Sequence, residues 1–443
     1  MGEGQVLLLG NGEVGMNYRG NAYHFRQDST FLYYIGIDRP GLAAVIDTGS
    51  GETTVYGDEL TLEDIVWTGE SPTLAAAAEG TGILKTQPSQ ALATVLVPDV
   101  HYLPPYRHEN VIRISELLSI AIPAVKLCAS LNLVRAVVAQ RSIKSAEEIA
   151  QIELGVRITN DMHEIAMLTA RPGISEADIH AAVQAVLHRN DTAASFPAII
   201  STDGQILHNH AHRNRLESGR LLLVDGGAEA PVSHYAGDMT RTFPVDPVFT
   251  PRQREVYQAV LDGQMAAISM LKPGLPYRQA HLRAARVIAE AMKAMGLMKG
   301  DLDAAVAAGA HALFFPHGLG HMMGLDVHDM EDLGEDHVGY GEGHARSDQF
   351  GLAFLRLARP LKPGFVVTVE PGIYFIPQLI DLWRSKGMHQ DFIVYDAVEK
   401  FKDFGGIRIE DDYLVTEDGA RILGGNVAKT IRDIEDLRAM AFE

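Results

Sequence analysis

The stretch Arg220 to Pro244, RLLLVDGGAEAPVSHYAGDMTRTFP, constrains the fold most, because it sets one aspartate at the end of an apolar run and another at the start of the next. Leu221 to Val224 is all apolar, as in a buried strand, and Met239 to Phe243 alternates as strands do. Asp225 and Asp238 then fall where two paired strands meet an irregular, glycine-containing connection. Like charges a few ångströms apart inside a protein are costly unless they share a proton or flank a cation. The pair reads as a proton-sharing dyad or as half of a metal site, and residues farther along decide between the two.

Four other groups bear on that choice. His317-Gly-Leu-Gly-His321, followed by His328-Asp329, holds two glycines that disfavour a helix, so these histidines are expected on a loop and its flanks. Glu370 ends the apolar run FVVTVE, just before Pro371-Gly372. In IRIEDD, period-two alternation puts Arg408 and Glu410 on one face and Ile407 and Ile409 on the other. The last group is His208-Asn-His210-Ala-His212, of which only His208 is carried forward. Together they offer oxygen ligands at Asp225, Asp238, Glu370 and Glu410 and a nitrogen ligand at His321, a hard set suited to two divalent ions. Two such ions can share a bridging water and ready it for attack, so hydrolysis is the expected reaction. Each piece alone has a blander reading: an Asp after a strand is usually a turn former, and Glu410 beside Arg408 a salt-bridged pair. Asp411 and Asp412 are read as solvated, so the case rests on the five acting together.

The surrounding chain supports two domains. Up to about Val138, short apolar runs (Val6 to Leu9, Leu42 to Asp47, Thr94 to Pro98) alternate with helical patches such as Ser71 to Glu79, the pattern of a small α/β unit. Near Gln140 the texture changes. Ser145 with Glu148 makes a capping box, and a helix follows until Arg171-Pro172-Gly173. Further helices are expected from Ser175 to about Arg189, from Thr250 and Pro251 to Lys272-Pro273-Gly274, from Gln279 to Met295 and from Thr430 to Met440, with strand-like runs at Phe365 to Glu370 and Ile407 to Val415. The expected division is 1–139 and 140–443, the second part an α+β sheet with helices on one side.

Charge narrows the partners. With 38 basic against 57 acidic residues the net charge is −19, which argues against nucleic acid and anionic membranes. The single cysteine, Cys128, lies in the apolar run IPAVKLCASL and is expected to be a buried, inert thiol. No apolar run approaches the roughly 20 residues of a bilayer crossing, and MGEGQVLLLGNGEVG lacks the basic flank of a signal peptide, so a cytoplasmic location is expected.

The segments LLLVDGGAE, AGDMTRTFP, PHGLGHMMGLDVHD, TVEPGIY and GIRIEDD, in that order, resemble the signature blocks of the metal-dependent Xaa-Pro peptidases that include prolidase and aminopeptidase P. FRQDSTFLYYIG at 25–36 resembles the amino-terminal domain of the aminopeptidase P branch. The resemblance implies an α+β pita-bread domain behind a smaller N-terminal α/β domain. It implies two divalent metal ions, manganese first with cobalt or zinc as alternatives, held by Asp225, Asp238, His321, Glu370 and Glu410. Asp225 and Glu410 would touch one or both ions, Asp238 and Glu410 bridge, and His321 and Glu370 bind one. It places His208, His317 and His328 at the family's non-ligand histidines. His328 is assigned to the developing oxyanion and Glu370 to the proton that the leaving proline nitrogen needs; His208 and His317 join both the catalytic and the substrate-binding set, and Arg408 the latter.

Glu370 and Glu410 are 40 residues apart and enclose GIYFIPQLIDLW, which looks like prolidase, as does LRLARPLKPG, whose first arginine is Arg356. A dipeptidase needs an anchor for the substrate's carboxylate, and a guanidinium grips one with two hydrogen bonds. The expectation is a homodimeric Xaa-Pro dipeptidase acting on proline-containing peptides. The alternatives are an Xaa-Pro aminopeptidase, a metal-free binding module and creatinase-like hydrolysis without metal; intact ligand positions disfavour the last two. One departure from the family pattern is the Asp225 to Asp238 spacing of 13 residues, about two longer because of APVSH.

Overall fold

A computed structural model describes residues 3–341 and 343–443. The chain divides into two compact units, Met1–Gln140 with Asp332–Gly334, and Arg141–Glu331 with Glu335–Glu443. Among the described residues no helix is long and apolar enough to cross a membrane.

The first unit carries a five-stranded sheet in the order β4 (Lys85–Gln87), β3 (Thr53–Tyr56), β2 (Ala43–Asp47), β1 (Gln5–Leu9), β5 (His101–Tyr102). The first two apolar runs become β1 and β2, paired antiparallel from Gln5 opposite Asp47 to Leu9 opposite Ala43. The third does not form a strand: Leu92–Val95 is a short helix, and the chain then crosses to β5. Asp28 caps the helix Ser29–Ile35, while the buried amide of Gln27 accepts from the Asn11 backbone at 2.6 Å and ties that helix to the end of β1. Cys128 is exposed, not buried. Its run forms a surface turn that sends Val125 into the core and leaves Leu127 85% exposed.

The second unit begins as its capping signals dictate. Ser145 and Glu148 cap each other at the start of the helix Ala146–Thr169, and Ser175 and Thr250 do the same for Glu176–Arg189 and Pro251–Ile268. Tyr277–Ala294 and Ile431–Met440 complete the expected helices. The inner face of Ala146–Thr169 sets Ile152 and Val156 against Met239, Val366 and Leu414, each fully buried side chain contributing roughly 1.5–3 kcal/mol. This helix passes so close to the 226–238 connection that a Cβ on Gly155 would lie 2.8 Å from the Tyr235 carbonyl oxygen.

In place of the one expected sheet there are, among the described residues, three short ones: β6 (Ile199–Ser201), β7 (Leu221–Gly226) and β8 (Met239–Pro244); β9 (Val366–Val369) with β12 (Asp411–Val415) and β13 (Ala420–Ile422); and β10 (Gly372–Tyr374) with β11 (Gly406–Arg408). The run Ile407 to Val415 is therefore two strands, not one. Its partner run breaks at the same level. Val369 pairs with Asp411 and Gly372 with Arg408, which leaves Glu370-Pro371 facing Ile409-Glu410 in the gap. Pro371 has no N–H to give the ladder. At the gap the two glutamates turn their own N–H groups elsewhere, Glu370 to the Leu319 carbonyl at 2.8 Å and Glu410 to the Thr240 carbonyl at 3.0 Å.

Candidate active site

The break places two glutamates side by side, and the other elements bring their residues to it. In β7 and β8, Asp225 pairs with Thr240, and Asp238 directly precedes β8. Loop 317–323 lies along β9, with the Thr368 N–H donating to the His321 carbonyl at 3.1 Å and the His321 N–H to Thr368 Oγ1 at 3.1 Å. All five expected ligand residues, with His208, His317, His328, Arg356 and Arg408, line one cavity of about 630 Å³. His210, set aside in the sequence reading, lines it too, and the rest of the wall is largely apolar, including Phe196, Leu207, Phe350, Phe354, Ile376 and Leu379.

Asp238, His321 and Glu410 each offer an atom within 4.8 Å of the other two. His321 Nε2 lies 3.4 Å from Asp238 Oδ2 and 3.7 Å from Glu370 Oε1. Burial and mutual repulsion raise Asp238 and Glu410 well above the usual carboxylate range, and the same causes push Glu370 up to about 8. Such a group of carboxylates is relieved by protons or by cations. His321 favours the cation. Its Nδ1 donates to the Met322 carbonyl at 3.0 Å, so the unprotonated Nε2 faces the acids, the tautomer a metal ligand requires. Burial also lowers its pKa to about 4, which keeps it neutral. The donor set thus fits divalent metal on its own chemistry.

Asp225 lines the same cavity, with its carboxylate taken by Arg408 Nη2. Arg408 is buried, and its other donors go to Tyr374 Oη at 2.8 Å and Thr240 Oγ1 at 3.1 Å. Held by these two hydroxyls, the guanidinium supports Asp225. His317 is likewise engaged on both ring nitrogens, Nδ1 with the Gly318 carbonyl at 2.7 Å and Nε2 with Tyr374 Oη at 2.8 Å. His208 stands on the exposed rim. His328 sits over His321, ring centroids 4.1 Å apart, with Nδ1 at 2.6 Å from Glu331.

Four residues escaped sequence reasoning. Asp412, expected in solvent, is buried and accepts the Asp238 N–H at 3.0 Å; Asp411 is buried too, paired with Arg241 at 2.5 Å and Lys429 at 2.8 Å. Both correct the reading of IRIEDD as ending in solvated acids. Thr240 Oγ1 donates to Glu410 Oε2 at 2.6 Å, and Tyr374 joins His317 to Arg408. Alternation along the two strands was the available signal for Thr240, but nothing local marks Asp412 or Tyr374. The longer Asp225 to Asp238 connection is absorbed at its tip, where Val232 and His234 take left-handed backbone conformations, away from the strand ends that carry the aspartates.

Comparison with known proteins agrees with this geometry. Residues 150–417 match metallopeptidase family M24, and residues 1–102 match the aminopeptidase P N-terminal domain. The Xaa-Pro dipeptidase of Homo sapiens is 31% identical over 446 residues, covering 98% of this chain and 88% of the human one. The Xaa-Pro aminopeptidase of Haemophilus influenzae is 33% identical over 426 residues, covering 94% and 89%. Among solved structures, the Pseudomonas aeruginosa aminopeptidase PepP superposes with a TM-score of 0.81 at 27% identity, over 99% of this chain and 94% of that one. Zinc-substituted Escherichia coli aminopeptidase P in complex with product gives the same values. The fold is accordingly the pita-bread fold preceded by an aminopeptidase P type N-terminal domain.

Proposed function

We propose that the chain, which belongs to metallopeptidase family M24, is an Xaa-Pro dipeptidase that cuts before a carboxyl-terminal proline. Relatives with dipeptidase and with aminopeptidase activity are about equally similar to it, so the finer reading rests on the cavity. The observation that carries it is Arg356. This residue lines the cavity, and among the described residues its hydrogen bonds all leave from Nη1, to Glu331 Oε1 at 2.6 Å and Glu335 Oε1 at 2.7 Å. Its Nη2 and Nε edge is left to grip a substrate's terminal carboxylate. An aminopeptidase, whose substrate continues past proline, has no use for a guanidinium there.

Asp225, Asp238, His321, Glu370 and Glu410 would hold two divalent ions, manganese first given the oxygen-rich set. When bound, such ions supply Lewis-acid chemistry that polarises the scissile carbonyl and readies water for attack. The chain's own groups do the rest. Arg356 fixes the carboxyl end, and the apolar wall at Phe350, Phe354 and Leu379 receives the proline ring. His328 engages Glu331 through its Nδ1–H, so it donates to the developing oxyanion from Nε2 as the imidazolium, protonated on both nitrogens. Glu370 takes the proton that the attacking water sheds and passes it to the proline nitrogen, which leaves poorly until protonated. His208, on the rim, meets the substrate's outer side, and Arg408 holds Asp225 in place.

The test is a matched substrate series with defined metals. Ala-Pro should be cleaved with a higher kcat/KM than Gly-Pro-Pro. Faster cleavage of the tripeptide would replace this reading with an Xaa-Pro aminopeptidase.

A further inference from the structure

We propose that Glu331 is a positioning residue that orients His328 and restrains Arg356, so that one carboxylate couples the group at the scissile carbonyl to the group that anchors the substrate. This inference rests on the dipeptidase reading. Glu331 uses both oxygens: Oε2 lies 2.6 Å from His328 Nδ1 and Oε1 2.6 Å from Arg356 Nη1. The His328 backbone is already fixed. Its neighbour Asp329 is buried, donates its N–H to the Met322 carbonyl at 2.9 Å, and is clamped by Lys144 Nζ at 2.8 Å and Arg141 Nη2 at 2.6 Å. What remains to be set is the rotation of the imidazole, and Glu331 sets it. A carboxylate at Nδ1 requires the proton on that nitrogen and turns Nε2 toward the cavity.

Glu331 is too open to solvent, at 43% side-chain exposure, for the pair to add much stability. Its consequence is orientation and charge. Arg356 keeps a second carboxylate, Glu335, which also holds Arg346 at 2.8 Å, so it stays tethered when Glu331 is lost. The two functions of Glu331 then separate. Without its side chain the imidazole turns freely and turnover falls, while Arg356 loses one of two counter-charges and takes an anionic substrate more tightly. A merely structural role would raise KM or leave both constants alone.

The experiment compares wild type, Glu331→Ala and Glu331→Gln as manganese-loaded full chains acting on Ala-Pro, and records imidazole ¹⁵N NMR of the metal-free proteins, with His328 assigned through His328→Gln. Glu331→Ala should lower kcat about tenfold or more, the usual scale for an orienting partner, and should also lower KM. Glu331→Gln keeps an acceptor for Nδ1–H and should recover most of kcat while KM stays low. In the spectra, the Nδ1–H tautomer of His328 should dominate in wild type and Glu331→Gln and become mixed in Glu331→Ala. A wild-type kcat in Glu331→Ala, a raised KM, or an unchanged His328 spectrum overturns the proposal. If Glu331→Ala does not fold, the KM and the spectrum of Glu331→Gln decide, a raised KM or a mixed tautomer counting against it. If wild type does not cleave Ala-Pro, the dipeptidase reading fails, and the spectra alone judge whether Glu331 sets the ring.

Discussion

The guanidinium of Arg408 closes on the carboxylate of Asp225, joining strand β11 to strand β7 although neither belongs to the other's sheet. Both groups are buried, so each needs the other until a cation arrives. Arg408→Ala should destabilise the metal-free protein by about 3–5 kcal/mol, the cost of stranding a buried charge. Saturating manganese should restore part of that loss, because the ions take over the compensation of Asp225. Denaturant titrations with and without metal measure it, and an equal loss in both would show that Asp225 does not face the ions.

Asp238 and Glu410 lie within ligand reach of His321, and their removal should cost metal as well as turnover. Asp238→Ala and Glu410→Ala should bind substoichiometric manganese and lose the rise in Tm that metal gives wild type. Near-normal metal content in either variant would show the ligand assignment to be wrong.

Metal uptake should also release protons. Glu370, pushed up to about 8 by burial and by its acidic neighbours, keeps a proton at pH 7 in the metal-free protein. Cation and proton compete for it, so manganese affinity should rise from pH 6 to about 8 and level off above. Calorimetry in buffers of different ionisation enthalpy counts the released protons; a count of zero at pH 7 contradicts the assignment.

Arg356→Ala should raise KM for Ala-Pro roughly 10- to 100-fold, the scale of a lost hydrogen bond to a charged group, and change KM for longer peptides much less. Gly339→Ala should act the same way more mildly. A Cβ there would fall 1.7 Å from the Arg356 carbonyl oxygen and push the arginine's backbone aside. Equal losses on short and long peptides would make Arg356 structural.

Acid should weaken the fold through two histidines outside the site. His281 and His311 are fully buried and stand 6.2 Å apart between ring centroids. Burial lowers His311 to about 4 and His281 well below its usual range. Unfolding frees both to bind protons near pH 6.5, so their contribution is complete above that pH and is lost as pH falls toward 4. For His311 the loss is roughly 3 kcal/mol. The drop in stability between pH 7 and pH 5 should shrink in His281→Phe, as read by urea midpoints at the two pH values.

The sequence by itself determined what depends on near neighbours. Ser145 with Glu148 and Thr250 with Gln253 started their helices because a capping box is complete within four residues. Alternation likewise put Arg408 and Glu410 on one cavity. Tertiary structure decided what depends on partners far along the chain. The break that sets Glu370 against Glu410 exists because Thr240 and Leu319, on other elements, accept the two glutamate N–H groups. Asp412 is buried because it has Asp238 to hold, 174 residues away, and Cys128 is exposed because Val125 fills the core beside it. Burial and hydrogen-bond partnership are properties of the packed chain, so a polar or apolar letter settles its own local conformation sooner than it settles what will surround it.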